Sequence, residues 1–441
     1  MTTIYPEASL DSLIESELPA LVDCYKMLHA MPELSGQEEK TSAYLAGELR
    51  SLGFSVTVGV GKYCHKTWLG YGVVAVLANG PGPVVLVRAD MDALPVEEKT
   101  CLPYASKVRA CFRDAQEVGV MHACGHDVHV TSLIGTARML ARLKSSWQGT
   151  LVLIGQPGEE GGGGAQAMLD DGVFQLFPKP DCALALHVTS HLDAGRVAYV
   201  PGNFMASFTE VDITVHGVGA HGSAPERGKD PIVIAAQLIL ALQTIVSREI
   251  RPIEPAVLTV GSIHGGTACN IIPDRVQLEL SIRTYDDAVR DQMIASIKRI
   301  ARGVALAAGV PEDRAPLVTR KAAHPANYND PELTGRVAHS LTHALGEDNV
   351  VLAYPVMASE DFGTWGLGRE IPTCMFWLGA ADPVLFRESA ASGVALPSHH
   401  SPHFAPLPEP TIRTGVKATT SVVLALLRGE DPPLKSNILQ E

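Results

Sequence analysis

Four short, mainly apolar runs constrain the fold of this chain more than anything else in it. They are Val73–Leu77, Val84–Arg88, Leu151–Ile154 and Ala183–His187, each bounded by Gly, Pro or Asp. They are too short for helices and show no polar alternation, so they read as strands buried on both faces. Between and before them lie segments of helical period. Residues 8–31 place Leu13, Ile14, Leu18, Leu21, Val22, Tyr25 and Leu28 on one stripe, with acids early and His29 late. A second helix is expected at about 36–52, ending at Gly53, and a third over Val128–Leu143. Strands alternating with helices predict an α/β fold whose mostly parallel sheet is covered by helices.

The pattern changes near Ala206. Glu210–Val215 alternates as a strand, Asp230–Ile250 reads as a long helix, Val257–His264 and Arg275–Arg283 as strands, and Asp286–Ala308 as a helix. That order predicts a small α+β, ferredoxin-like domain inserted into the larger one. After about residue 318 the chain returns to helices, one more buried strand at Thr373–Gly379 and a final helix at about 410–428, followed by a loose tail over 429–441. The expected division is therefore 1–205 and 318–441 for the larger domain, and 206–317 for the insertion.

Composition excludes some classes. The 441 residues are 46% hydrophobic and 19% charged, enough for a large core, and the net charge is −13. A field of that sign disfavours nucleic acid and anionic membranes as partners. Eight cysteines at irregular spacing show no disulfide framework and read as free thiols in a reducing compartment. The N-terminus has neither the basic nor the apolar region of a signal peptide, and no apolar run is expected to reach transmembrane length. The cytoplasm is the expected location.

The densest chemistry lies in Met121-His122-Ala123-Cys124-Gly125-His126-Asp127-Val128-His129, a loop leading into a helix. Cysteine and histidine are ligands that zinc, nickel or manganese can share with carboxylates. One glycine between Cys124 and His126 lets the backbone turn so that both side chains converge. A second segment, Gly155-Gln156-Pro157-Gly158-Glu159-Glu160-Gly161, follows a buried strand. Read alone, its paired acids could simply answer a helix dipole. Beside the Cys/His cluster, one can bind metal while the other acts as a general base. His187 ends an apolar strand, where a lone histidine is as often a core residue. His400 lies in the loop Ser398-His399-His400-Ser401-Pro402-His403. The charges of Arg88-Ala-Asp90-Met-Asp92 at a strand end suggest support for bound metal. In the inserted unit, His221 and Asn270 sit in turn-like segments and could stabilise an oxyanion, or serve only the turns.

These segments resemble the M20 metallopeptidase family, in its amidohydrolase branch. The resemblance rests on Arg88-Ala-Asp-Met-Asp-Ala-Leu-Pro95, His122-Ala-Cys-Gly-His-Asp127, Gly158-Glu-Glu160, His221-Gly-Ser-Ala-Pro225, His400-Ser-Pro402 and the opening His29-Ala-Met-Pro-Glu-Leu-Ser35, in that family's order. It implies a two-ion divalent metal cofactor (zinc, manganese, nickel or cobalt) held by Cys124, His126, Glu160, His187 and His400, with Cys124 bridging. It implies Glu159 as general base and then acid, His221 as oxyanion donor in its own or a partner's site, and Asn270 as a substrate contact. The inserted domain would be a lid and a dimerisation element, making the protein a homodimer or higher homo-oligomer. The implied reaction is hydrolysis of the amide of N-acyl amino acids or similar small N-acylated amines. A dipeptidase or carboxypeptidase of the same fold, and a silent metal-binding relative, remain as alternatives. Two points depart from the pattern: His399 and His403 flank His400, and the stretch Lys62–Tyr71 is longer and more aromatic than the family leads one to expect.

Overall fold

The computed structural model describes residues 7–62, 70–112 and 116–430. The centre of the unusual Lys62–Tyr71 stretch and most of the C-terminal tail lie outside the described residues. The chain forms two compact units. The first comprises the residues up to Gly202, Tyr328–Tyr354 and those from Thr364 onward; the second comprises Asn203–Asn327 and Pro355–Gly363.

The first unit is built on an eight-stranded sheet in the order Ser55–Val60, Gly72–Asn79, Gly149–Gln156, Val84–Asp90, Cys182–Asp193, Thr373–Ala381, Val197–Tyr199, Val350–Leu352. The four central strands, Gly149–Gln156 through Thr373–Ala381, run parallel. On one side Gly72–Asn79 and Ser55–Val60 add antiparallel, and on the other Val197–Tyr199 does so. The central strands are buried on both faces. Val85, Val87 and Ala89 join the main core, while the intervening Leu86, Arg88 and Asp90 are buried too.

The main core is closed by helices. In Glu7–Ala30 the buried Ile14, Leu18, Leu21, Tyr25 and Leu28 recur at steps of four and three, one stripe of an α-helix. That helix packs with His126–Arg142 and Pro408–Arg428, and Pro331–Leu345 packs on the last of these. His126–Arg142 is buried along nearly its whole length, so its mixed apolar and polar surface must be answered by partners on every side.

The second unit runs strand Gly202–His216, helix Pro231–Thr244, strands Ala256–Gly265 and Arg275–Thr284, helix Asp287–Ala307 and strand Leu317–His324. These four strands pair antiparallel, and the short strand Val356–Ser359 adds parallel to Gly202–His216. The spatial order is second, third, first, fourth, the ferredoxin-like arrangement. Asp230 and Asp286 cap its two helices by accepting the amides of Ile232 and Ala288.

One expectation needs correction. The expectation is that no apolar run reaches transmembrane length, yet Pro231–Glu249, a helix continued by a π turn, is 19 residues long and apolar enough to cross a bilayer by length and composition. Its apolarity has another use in this structure. Ile234, Ala235, Leu238, Leu242 and Ile245 are fully or almost fully buried in the second unit's core, while Ile232, Val233 and Leu240 are exposed.

Candidate metal centre

The first unit's site forms where its parallel strands end. Asp90, the last residue of Val84–Asp90, pairs with Gln156, the last of Gly149–Gln156. On the other neighbour Arg88 pairs with Ala185, so His187 stands level with Asp90. Loops leaving the carboxyl ends of adjacent parallel strands converge on one crevice. Here they bring Glu159 and Glu160 toward the loop that carries Cys124 and leads into the helix starting at His126.

Gly125 makes that approach possible. Its φ of +80° suits glycine, and a Cβ there would fall 2.4 Å from Cγ2 of Val188. The residue next to His187 is thereby packed directly under the Cys124–His126 turn. The loop carrying His400 is tied to the same place, because the amide of His400 donates to the carbonyl of Ala123 at 2.8 Å.

All five predicted ligands are brought together. The donor atoms of Cys124, His126 and His187 lie within 4.8 Å of one another, as do those of Cys124, Glu160 and His400, and those of His126, Glu159 and Glu160. Cys124 belongs to two of these sets. Its sulfur is 3.6 Å from Nε2 of His187, and Nε2 of His400 is 3.1 Å from Oε1 of Glu160. Cys124, His126 and His187 are buried, whereas the His400 side chain is 55% exposed. The cluster therefore has a wet side and a dry side.

Its electrostatics fit a cation. Burial, then the carboxylates of Glu160, Glu159 and Asp90, drive the Cys124 thiol well above its usual range. A thiolate among carboxylates requires compensating positive charge. Burial disfavours charge on His126 as well, but Asp90 and Asp92 prevail and hold its pKa near 10. Asp92 Oδ1 and Asp90 Oδ2 stand 3.4 and 3.6 Å from its Nδ1 and Nε2. Neither His126 nitrogen makes a hydrogen bond among the described residues although the ring is fully buried. Orphaned buried nitrogens at the meeting point of a thiol and carboxylates are what a divalent metal would satisfy.

A surrounding set of residues holds the donors. Asp92 Oδ2 accepts from the amide of Glu160 at 2.9 Å and from Ser35 Oγ at 2.6 Å. Asp90 takes Arg88 on one oxygen and His129 Nδ1 on the other, each at 2.6 Å. Burial would raise the Asp90 pKa; Arg88, His126 and His129 hold it well below the usual range. Glu38, fully buried, accepts the amide of Gly158 at 2.8 Å, just before the Glu159–Glu160 pair. His29 bridges Asp127 at 2.7 Å and Glu98 at 3.1 Å. The charged strand end at 88–92, the cluster at 121–129 and the opening His29–Ser35 were the sequence signals for this set. Glu38 is distant in sequence from the metal-ligand segments and carries no local signal. His399 and His403 are engaged elsewhere: His399 Nε2 donates to Val188 O, and His403 Nδ1 to Lys99 O.

His221 and Asn270 lie side by side in the second unit. Strand Ala220–His221 pairs with Ile271–Ile272, and the amide of Gly222 donates to the carbonyl of Asn270. The Ser223 amide donates to His221 Nδ1 at 3.1 Å. A nitrogen that accepts carries no proton, so the neutral ring has its proton on Nε2, which can donate.

Residues 86–424 match the sequence model of peptidase family M20/M25/M40. The chain belongs to this family. Among M20 relatives, it is 38% identical over 347 residues to the N-acetyl-L-cysteine deacetylase of Bacillus subtilis, covering 78% of this chain and 76% of that one. It is 38% identical to the hippurate hydrolase of Campylobacter jejuni, covering 76% and 82%. It is also 36% identical to thermostable carboxypeptidase 1 of Saccharolobus solfataricus, covering 86% and 89%. The structure resembles the YXEP protein of Bacillus subtilis, described as a dinuclear metal binding peptidase from the M20 family, with a TM-score of 0.74, 27% identity and coverage of 94% and 99%. The deacetylase and hydrolase relatives place this M20 chain among metal-dependent hydrolases of the amidohydrolase branch.

Proposed function

We propose that this M20 protein hydrolyses the amide bond of N-acyl amino acids or similar small N-acylated amines. The observation that carries the reading is Cys124 shared between two donor sets, His126 with His187 and Glu160 with His400, with Glu159 at their edge. Two divalent ions held by these five residues, with the thiolate between them, would polarise the substrate carbonyl and lower the pKa of water to about 7. Zinc, manganese, nickel and cobalt all suit such a donor set.

Glu159 then takes a proton from the attacking water and returns it to the departing amine. Asp92 and Glu38 keep the Glu159–Glu160 turn in register by accepting the amides of Glu160 and Gly158. His221 is the proposed oxyanion donor through its Nε2–H, in its own chain or the partner subunit, and Asn270 beside it the proposed substrate contact. The inserted domain, 206–317, is proposed as lid and dimerisation element between the two parts of the catalytic domain, 1–205 and 318–441. The exposed Ile232, Val233 and Leu240, and Ile263 on the edge strand Ala256–Gly265, support association of copies there. Light scattering on the purified protein tests it: a monomer at micromolar concentration rejects the oligomer. A cytoplasmic location is proposed because the seven cysteines among the described residues are free, Cys124 among them.

A screen of N-acetyl, N-benzoyl and indole-acetyl amino acids beside dipeptides, with each metal added in turn and amine release as readout, tests the reaction. Metal-dependent turnover of acyl amino acids alone is expected. Turnover of peptides instead would favour the carboxypeptidase reading, which the Saccharolobus relative supports. Bound metal with no turnover of any amide would leave a silent metal-binding protein.

A further inference from the structure

Three imidazoles share the backbone of one residue. The amide of Val188 donates to His129 Nε2 at 3.0 Å. The carbonyl of Val188 accepts from His187 Nδ1 at 2.8 Å and from His399 Nε2 at 2.8 Å. A peptide N–H can only donate and a peptide carbonyl can only accept, so each bond places a proton. His129 has a bare Nε2, already occupied, and its Nδ1–H points to Asp90 at 2.6 Å. His187 carries its proton on Nδ1, which leaves Nε2 facing Cys124. His399 carries its proton on Nε2.

Without these bonds the five histidines around the site would be hard to tell apart. His129 lies 4.7 Å from His187 and 5.3 Å from His126, and His399 lies 5.2 Å from His187, all between ring centroids. Hydrogen bonding at both nitrogens removes His129 from the pool of ligands and assigns a single nitrogen of His187 to it, while His399, bonded through Nε2 alone, shares none of the candidate donor sets among the described residues. We infer that the backbone of Val188 sets which nitrogen of His187 can ligate, and that His129 and His399 are positioning residues acting through it. The inference rests on the metal-centre reading of the site.

The backbone of Val188 is suited to the task because it is closely packed. Val188 is fully buried, paired with Leu378 on the next strand and roofed by Gly125. His399 acts on two ligands from there. It shares the carbonyl that orients His187, and it anchors the loop in which His400 is the next residue. A histidine ligand whose second nitrogen is held by a carbonyl is fixed in tautomer and ring orientation, and loss of such outer support costs about 10–100-fold in metal affinity.

The test is zinc competition against a chelator on the full-length protein, comparing wild type, His399→Phe and His399→Gln. Phenylalanine keeps a flat ring against His187 and Phe404 but cannot donate; glutamine retains an N–H able to reach the carbonyl. The expected result is a 10–100-fold weaker zinc affinity in His399→Phe, a shifted visible spectrum of its cobalt(II) form, and recovery of most of both in His399→Gln. Wild-type affinity in His399→Phe, or equal losses in both variants, would overturn the inference. Failure of the wild type to bind zinc, cobalt, manganese or nickel would instead overturn the metal-centre reading itself. Nitrogen-15 spectra of histidines in the zinc-loaded wild type decide independently of any variant's folding. Protons on Nδ1 of His129 and Nε2 of His399 are expected, and either proton on the other nitrogen rejects the assignment.

Discussion

Oδ2 of Asp92 accepts the backbone amide of Glu160 at 2.9 Å. One carboxylate thus fixes the turn that presents Glu160 while its other oxygen faces His126 at 3.4 Å. Asp92→Asn exchanges an acceptor for a donor on one side and removes a negative charge from a fully buried position. Metal affinity should fall about 10–100-fold, measured by chelator competition, with the thermal midpoint of the metal-free protein much less affected.

Cys124 serves both donor sets. Cys124→Ala should therefore remove more than one ligand's share of binding: elemental analysis after dialysis should show loss of both ions. Retention of one full equivalent would mean that the sulfur belongs to a single ion.

Glu159→Gln keeps the size of the side chain and removes its basicity. Metal content should match wild type, while kcat falls by about 10²–10⁴. Normal turnover would remove Glu159 from the role of base.

His29 has two carboxylate partners, Asp127 and Glu98. Burial disfavours its cation, but the two carboxylates prevail and raise its pKa to about 9 from 6.5. Its stabilising contribution is therefore complete below about pH 6.5 and lost as pH rises through about 9. At full strength this is on the order of 3 kcal/mol. The thermal midpoint of wild type should exceed that of His29→Gln most at pH 6, with the gap narrowing toward pH 10. A gap independent of pH would show that shape, not charge, is what His29 supplies.

Glu38 is shifted in the same direction for a different reason. Burial, then the charge of Asp92, raises its pKa to about 8, and Oε2 has no hydrogen-bond partner among the described residues. An acid with a raised folded pKa stabilises most below its unfolded value, near 4.5, and loses that contribution as pH rises through about 8. Glu38→Gln keeps an oxygen for the Gly158 amide and cannot ionise. It should match wild type at pH 5 and unfold at higher temperature than wild type at pH 9; equal midpoints at pH 9 would place the titration elsewhere.

Much of the fold was legible because its longest elements are also its most periodic. Helix 8–31 emerges as Glu7–Ala30, Asp286–Ala308 as Asp287–Ala307, and the four apolar runs lie within central or neighbouring strands of the large sheet. What sequence hid was weakly patterned. Leu317–His324 completes the second unit's sheet, but six of its eight residues are exposed and no apolar alternation marks it. The hairpin Arg109–Phe112 with Gln116–Gly119 and the three-residue strand Val197–Tyr199 are too short to show a period. At the site, Cys124, His126, Glu159 and Glu160 were legible because each pair lies within three residues. His399 and His400 could not be separated by spacing. Their difference lies in where each ring points, toward the Val188 carbonyl or toward Glu160, which only tertiary structure decides.

The strand Cys182–Asp193 finds its parallel partner, Thr373–Ala381, only after the whole second unit has been made. His400 and the helix Pro408–Arg428 come later still. At about 5–20 residues per second on the ribosome, roughly ten to forty seconds separate the synthesis of His187 from that of His400. Throughout that interval the growing chain holds a half-built sheet with an open edge, the state most prone to wrong pairing. The donor set cannot close before His400 has been made, so capture of metal should follow synthesis of the whole second unit and act as a late latch on the first.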